Sequence, residues 1–318
     1  MSARAIINKS RAFQFNRADS RFTGRAYALA STVGFGAIST FAKFAYSEGI
    51  DSATLLALRF LVAAIALWAY FLIFNRSAIR ISRKQLAVTA ALGIAGYGVF
   101  SNLVFKALET TPASITGLLF FSYPVFVLLI DWLITRERPE SHLWLGGIMI
   151  LCGIIVGVFG ALKGGLSVGL LFATGGAAWY AAYVAASRRL LYNVKPKTVA
   201  LYVTTFAALG FWVMGGPVSP QLHLLSAKAI AVVLGIGLIS TVMAMLCFFS
   251  SLEKLGAAET SQIGTFELIV SLGLASIFLG EQLSMPLMAG AAFILFGMVM
   301  GRVKLASKSE ECPDDATC

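Results

Sequence analysis

Apolar residues in this chain come in long blocks separated by short polar clusters, with neither the alternation of a half-buried strand nor the one-face stripe of a surface helix. A helix needs about 20 apolar residues to cross a hydrocarbon core about 30 Å thick. Ten such blocks are read at 24–45, 54–74, 85–107, 113–134, 142–161, 167–187, 198–216, 228–251, 258–279 and 285–303. The connections between them are short, so no loop holds a soluble domain and any chemistry must take place within the bilayer. The expected fold class is an all-α polytopic membrane protein with ten transmembrane helices.

Composition sharpens this reading. The chain is 58% hydrophobic and only 13% charged, whereas a soluble domain carries about 25% charged residues. That excludes a soluble enzyme, a disordered chain and a secreted disulfide scaffold. Two of the four cysteines, Cys152 and Cys247, lie inside apolar runs and two, Cys312 and Cys318, in a polar tail, without a C-x-x-C pair.

The position of the charges predicts orientation. With the N-terminus inside, 20 of the 25 Lys and Arg residues fall in the tails and the inward loops. Lys43, Lys106, Lys163 and Lys228 fall on the other side, and Arg59 lies within a span. The asymmetry places both termini in the cytoplasm and accounts for a net charge of +10 without a nucleic-acid partner. Residues 1–23 read as a basic cytoplasmic tail, since they lack the apolar core of a signal peptide; an organellar transit peptide has a similar composition. Residues 304–318 read as a polar cytoplasmic tail.

The two halves, 24–161 and 167–303, repeat with a constant offset of 144 residues from the third span onward. Ala107-Leu108-Glu109 falls on Ser251-Leu252-Glu253, Glu137 on Glu281, Gly146 on Gly290, Gly153 on Gly297 and Gly157 on Gly301. Phe35 falls on Trp179, although the first two spans of each half match weakly. Five spans per repeat is an odd number, so the second copy is expected upside down. Inverted repeats are typical of secondary transporters, which hold substrate near the midplane between the halves.

Depth ranks the intramembrane charges, because burying one at a helix centre costs about 2.5–3.5 kcal/mol on insertion scales. Asp131 lies roughly 5 Å from the inner end of span four. Arg59 lies roughly 8 Å below the outer surface, where its stem is expected to snorkel. Glu267 lies roughly 14 Å deep, at the midplane, and is the leading candidate. Thr260, Gly264, Glu267 and Ser271 are spaced to share one helix face. The equivalent position in the first half is Tyr123, followed by Pro124, whose ring frees a backbone carbonyl in mid-span. Glu267 is a proton carrier, a counter-charge for a substrate amine, or a bond to a neighbouring helix. Trp179, with Tyr183 one turn on, either stacks on a substrate ring or fills a packing gap. Tyr97, Ser101 and Asn102 in span three, and Ser240 and Thr241 in span eight, add polar groups that more often bond neighbouring helices. The Gly153/Gly157 and Gly297/Gly301 pairs read as close helix packing, within the chain or between subunits. No metalloprotease, nucleophile-elbow or phosphate-loop motif occurs, and no metal or cofactor is expected.

These residues resemble the EamA-type family of the drug/metabolite transporter superfamily, from about residue 24 to 303. Phe35-Gly36 with Lys43, Leu58-Arg59-Phe60, Pro124, Glu137, Gly146 and Gly153 are similar to the family's pattern in the first half. Trp179, Glu267, Gly280-Glu281, Gly290 and Gly297 are similar to it in the second. Leu268 stands where the family has proline after the glutamate, which is expected to stiffen span nine, and Arg136 stands in place of glycine before Glu137. The resemblance implies two inverted five-helix halves around a cavity lined by spans one, three, four, six, eight and nine. It also implies passage of a small metabolite across a plasma membrane, the inner membrane in a bacterium, commonly as export. Gly36, Lys43, Arg59, Glu137 and Glu281 then read as architecture.

The expectation is a secondary transporter working by alternating access, exporting an amino acid or related metabolite with protons as the coupling ion. Import of a nucleoside or cofactor is the alternative, and an integral-membrane enzyme or non-transporting scaffold a weaker one. Its partners are the substrate and the bilayer, as a monomer or weak homodimer.

Overall fold

The computed structural model describes residues 21–161, 167–214 and 226–308. Most of both tails, Lys163 and His223 lie outside the described residues. The described residues form ten helical rods: α1 Arg21–Ser47, α2 Ser52–Phe74, α3 Arg83–Thr110, α4 Ala113–Thr135, α5 Ser141–Ala161, α6 Val168–Leu190, α7 Pro196–Met214, α8 227–255, α9 257–279 and α10 Met285–Lys308. The protein is an all-helical polytopic membrane protein. Among the described residues, α1 to α6 and the continuous run Ala227–Gly264 are individually long and apolar enough to cross a membrane. Beyond them lie the shorter apolar stretches Glu267–Leu279 and Met285–Gly301.

Local chemistry sets the helix ends. Asp51 accepts a hydrogen bond from the Thr54 N–H at the start of α2, and Ser82 with Gln85 forms a reciprocal cap at the start of α3. Ser226, 144 residues beyond Ser82, caps α8 by accepting the Ala229 N–H, without the reciprocal bond. At the far ends of α4 and α9, Arg136 (φ 60°) and Gly280 (φ 67°) both take the left-handed conformation. The α8–α9 joint is Gly256, at φ 81° and ψ 174°.

The offset extends further than sequence similarity does. Ser52, where α2 begins, lies 144 residues before Pro196, where α7 begins, although these spans match weakly in sequence. Both α3 and α8 widen by one residue per turn, over Leu92–Gly98 and Gly235–Met243. The helical ladders of α4 and α9 both tighten to i−3 bonds, at Ser122 in α4 and at Thr265 and Phe266 in α9. Ser122 and Thr265 turn their hydroxyls onto the carbonyls of Leu119 and Gln262 there. The tightened turn in α9 forms with Leu268 rather than proline after Glu267.

Among the described residues, the closest approach of backbone to backbone at glycines is a seam between α5 and α10. A Cβ on Gly153 would stand 2.5 Å from the Gly290 oxygen, and one on Gly297 2.5 Å from the Gly146 oxygen. Rising numbers on α5 thus meet falling numbers on α10, so these repeat-equivalent helices run antiparallel and the two copies are inverted. One apolar core gathers α1, α2, α3, α7 and α8 around Phe60, Phe105 and Leu55. The other gathers α4, α5, α6, α9 and α10 around Leu118, Leu268 and Ile294.

Candidate functional site

The tightened turns divide α4 and α9 near their middles, with buried, bonded hydroxyls at Ser122 and Thr265. The segment after the first break opens with Tyr123 and Pro124; the one after the second opens with Glu267. Glu267 sits on the first turn of its half-helix, where the N-terminal end of the helix dipole favours negative charge. It is half-buried, and α1 comes close to it because Gly36 has no side chain: a Cβ there would stand 2.8 Å from Val270 and 3.2 Å from the Glu267 carbonyl oxygen. Ser39 and Ser271 are bonded at 3.1 Å, linking α1 to the next turn of α9.

Facing this acid is a group of rings from α3, α4 and α6. Tyr123 meets Tyr180 edge-on at 5.1 Å, Tyr180 meets Phe100 at 4.8 Å and Phe120 at 5.3 Å, and Tyr97 meets Tyr183 at 5.7 Å. Tyr180 lies within electrostatic range of Glu267. All six rings are half-buried although they touch one another. The sequence singled out Tyr97, Tyr123 and Tyr183 in this cluster, but not Tyr180, Phe100 or Phe120. The readable signal was spacing: Tyr180 and Tyr183 are i, i+3 neighbours on α6, whereas Trp179 points about 100° away.

Trp179 is therefore outside the cluster. Its ring is 44% exposed and its Nε1–H donates to the Ala95 oxygen at 2.7 Å, satisfying a carbonyl in the widened turn of α3. Thr260 is buried and bonded to Ser251 at 3.0 Å across the α8–α9 joint. The tightened turn at 265–266 lies between it and Glu267. Asn102 is half-buried on α3.

Arg59 corrects a sequence expectation. It does not snorkel: the residue is 3% exposed, held between α2, α3 and α8. Its Nε donates to the Thr241 hydroxyl at 2.9 Å, and that hydroxyl donates to the Ile236 oxygen at 2.9 Å. Its guanidinium carbon lies 5.1 Å from the Phe60 ring centre and 5.3 Å from that of Phe105, within cation–π range. Phe60 in turn meets Tyr97 at 5.5 Å, so the ring cluster runs on to the buried cation. No ion pair among the described residues involves Arg59 or Glu267.

At one end of the bundle Glu281 receives the N–H groups of Ala113 at 2.7 Å and Ser114 at 2.9 Å, and Lys43 lies within its electrostatic range. Glu137, its repeat equivalent at the other end, is exposed.

The profile of the EamA-like transporter family matches residues 22–159 and again 167–301, one match in each half. An uncharacterized transporter of Bacillus subtilis (strain 168), YcbK, is 24% identical over 304 residues, covering 90% of this chain and 95% of its own. An uncharacterized transporter of Archaeoglobus fulgidus is 28% identical over 277 residues, covering 85% and 95%. A solved structure aligns with a TM-score of 0.61 at 24% identity, covering 89% of this chain and 99% of its own, and shares the fold.

Proposed function

The chain belongs to the EamA-like transporter family, and from that premise we propose that it moves a small metabolite across the membrane by alternating access, outward from the cytoplasm. The observation that carries this reading is the pair of interrupted helices at equivalent positions, 121–122 and 265–266, with Glu267 on the first turn after the second. Secondary transporters place substrate and coupling ions where broken helices meet near the midplane. Here the half-helix end, the acid and the ring cluster supply a charged anchor and flat apolar walls, suited to an amino acid or related metabolite. A lone acid at mid-depth needs a cation beside it, and a proton or a substrate amine fills that role. The distribution of basic residues supports a reading with both termini in the cytoplasm, the membrane being the plasma membrane in this proposal, and no chemical conversion of the solute is part of the reading.

The test compares metabolites in medium and cells from a strain lacking the chain, one overproducing it, and one overproducing Glu267→Gln at matched membrane levels. The expected result is a compound that rises outside and falls inside on overproduction, with that change lost in Glu267→Gln. Unaltered export by Glu267→Gln would remove the acid from the mechanism. A compound that moves inward instead would support import of a nucleoside or cofactor, and no flux in either direction would leave a scaffold.

A further inference from the structure

We propose that Glu281 and Glu137 are a pair of alternating latches, each clamping the N-terminus of a half-helix in the opposite repeat, with one engaged at a time. This deepens the transport reading and rests on it. The engaged latch is formed in the structure: Glu281 takes the Ala113 and Ser114 N–H groups on its two carboxylate oxygens, at 2.7 and 2.9 Å. Both residues are buried, 0% and 3% exposed. Behind the clamp, the first half of α4 packs against the second half of α9, closing that end of the bundle.

Shifting every member of this clamp by 144 residues produces Glu137, Ala257 and Ala258. Each required part is present there. A left-handed residue, Arg136, precedes Glu137 as Gly280 precedes Glu281. An eight-residue half-helix, 257–264, follows the non-helical residue Gly256 as Ala113–Phe120 follows Pro112. Yet Glu137, Ala257 and Ala258 are all exposed, and the second half of α4 makes no comparable packing contact with 257–264 among the described residues. The chain thus builds the same clamp twice and closes it once.

Inverted repeats make the missing arrangement definite. In the second state the Glu137 carboxylate accepts from the Ala257 and Ala258 N–H groups, the second half of α4 meets the first half of α9, and Glu281 releases Ala113 and Ser114. With the basic residues cytoplasmic, the structure is closed outside and open inside. A carboxylate on free helix N–H groups makes charge-assisted hydrogen bonds and also complements the helix dipole, so neither clamp is neutral to the equilibrium. The clamps are not equal in strength. Lys43 supports Glu281, whereas the repeat equivalent of Lys43 is the uncharged Ser187, which biases the chain toward the state described.

The test uses the full chain in lipid nanodiscs with its four cysteines changed to serine. Spin labels are placed at Arg138 and Lys254 for one end and, separately, at Gln282 and Thr110 for the other, and distances are read by double electron–electron resonance. Glu281→Ala is expected to shorten the 138–254 distance and lengthen the 110–282 distance, moving the population ratio by roughly tenfold or more, the effect of one hydrogen bond to a charged group. Ala113→Pro removes one donor while sparing the carboxylate, at a helix position that tolerates proline, and should move both distances the same way as Glu281→Ala. Ala257→Pro should hold them at the parental values. Distances that ignore Glu281→Ala and Ala113→Pro, or two ends that open and close together, would overturn the latch. Distances that respond in a chain that exports nothing would uphold the latch and sink the transport reading. Export with immobile distances would do the reverse.

Discussion

Adding one methyl group to Gly153 tests the inverted architecture at its tightest point. Its Cβ would lie 2.5 Å from the Gly290 oxygen, 2.9 Å from Ile294 Cγ1 and 3.0 Å from the Ile294 nitrogen. Carbon contacts settle at about 3.5–4.0 Å, so α5 and α10 would have to separate by roughly 1 Å. Two of the three obstacles are backbone atoms and cannot rotate aside as a side chain can. Overpacking of this kind costs about 1–3 kcal/mol. Gly273→Ala and Gly175→Ala are the controls: a Cβ at either would meet nothing within 4 Å. Replacing glycine by alanine inside a helix gains about 0.5–1 kcal/mol where space allows, so the seam and control variants are predicted to move in opposite directions. Thermal unfolding of purified protein in one detergent, at a fixed scan rate because membrane proteins commonly unfold irreversibly, reads the difference. Gly153→Ala should melt several degrees below the parent, and the controls at or slightly above it. Gly290→Ala faces the same backbone, so its cost should be strongly non-additive with that of Gly153→Ala. A Gly153→Ala chain as stable as Gly273→Ala would refute the antiparallel contact and the inversion inferred from it.

Two further outcomes follow from the same geometry. Thr241→Val removes the hydroxyl that joins Arg59 Nε to the Ile236 oxygen, leaving buried polar groups unpaired at a cost of about 1–3 kcal/mol; Thr241→Ser should keep near-parental stability in the same melting assay. Arg136→Gly relieves the left-handed backbone at the end of α4, where a side chain costs roughly 1–2 kcal/mol, and should raise the melting temperature; an unchanged or lower value would place no strain at that residue.

The ten spans and the offset were legible because an apolar run of about 20 residues is a signal that needs no partner. Helix rotation was not, since these helices are apolar on most sides and carry little amphipathic stripe from which to read a facing direction. That is why Trp179 was favoured over Tyr180: one residue turns a helix by about 100°, and only the packing of α6 on α3 and α4 decides which ring faces inward. Arg59 was misplaced for the same reason. Its distance from the span end was readable, but the slot between α2, α3 and α8 that holds its guanidinium depends on a tertiary contact 182 residues away in sequence. The break in α4 had a marker in Pro124. The break in α9 had none at Leu268, because there Thr265 and the glycines around it, not a proline, permit the tightened turn. Glu267, by contrast, was found by depth alone, since a carboxyl at the midplane is rare enough to stand out in any rotation.

The positions where the repeat offset fails in chemistry make a further argument about function. The scaffold needs equal parts in both copies, and it has them: glycines at 146 and 290 and at 153 and 297, serine caps at 82 and 226, glutamates at 137 and 281. A solute has no such twofold symmetry, so the groups that recognise it must break the match. Glu267 stands opposite Tyr123, Arg59 opposite Val203, and Tyr180 opposite Gly36. Each of these mismatches sits inside the bundle and touches the same connected set: Gly36 lets α1 close onto the Glu267 backbone, Tyr180 lies within range of its charge, and the rings continue from Tyr180 through Phe100, Tyr97 and Phe60 to Arg59. This connected path has an acid at one end and a buried cation at the other, a polarity that the symmetric frame around it does not have.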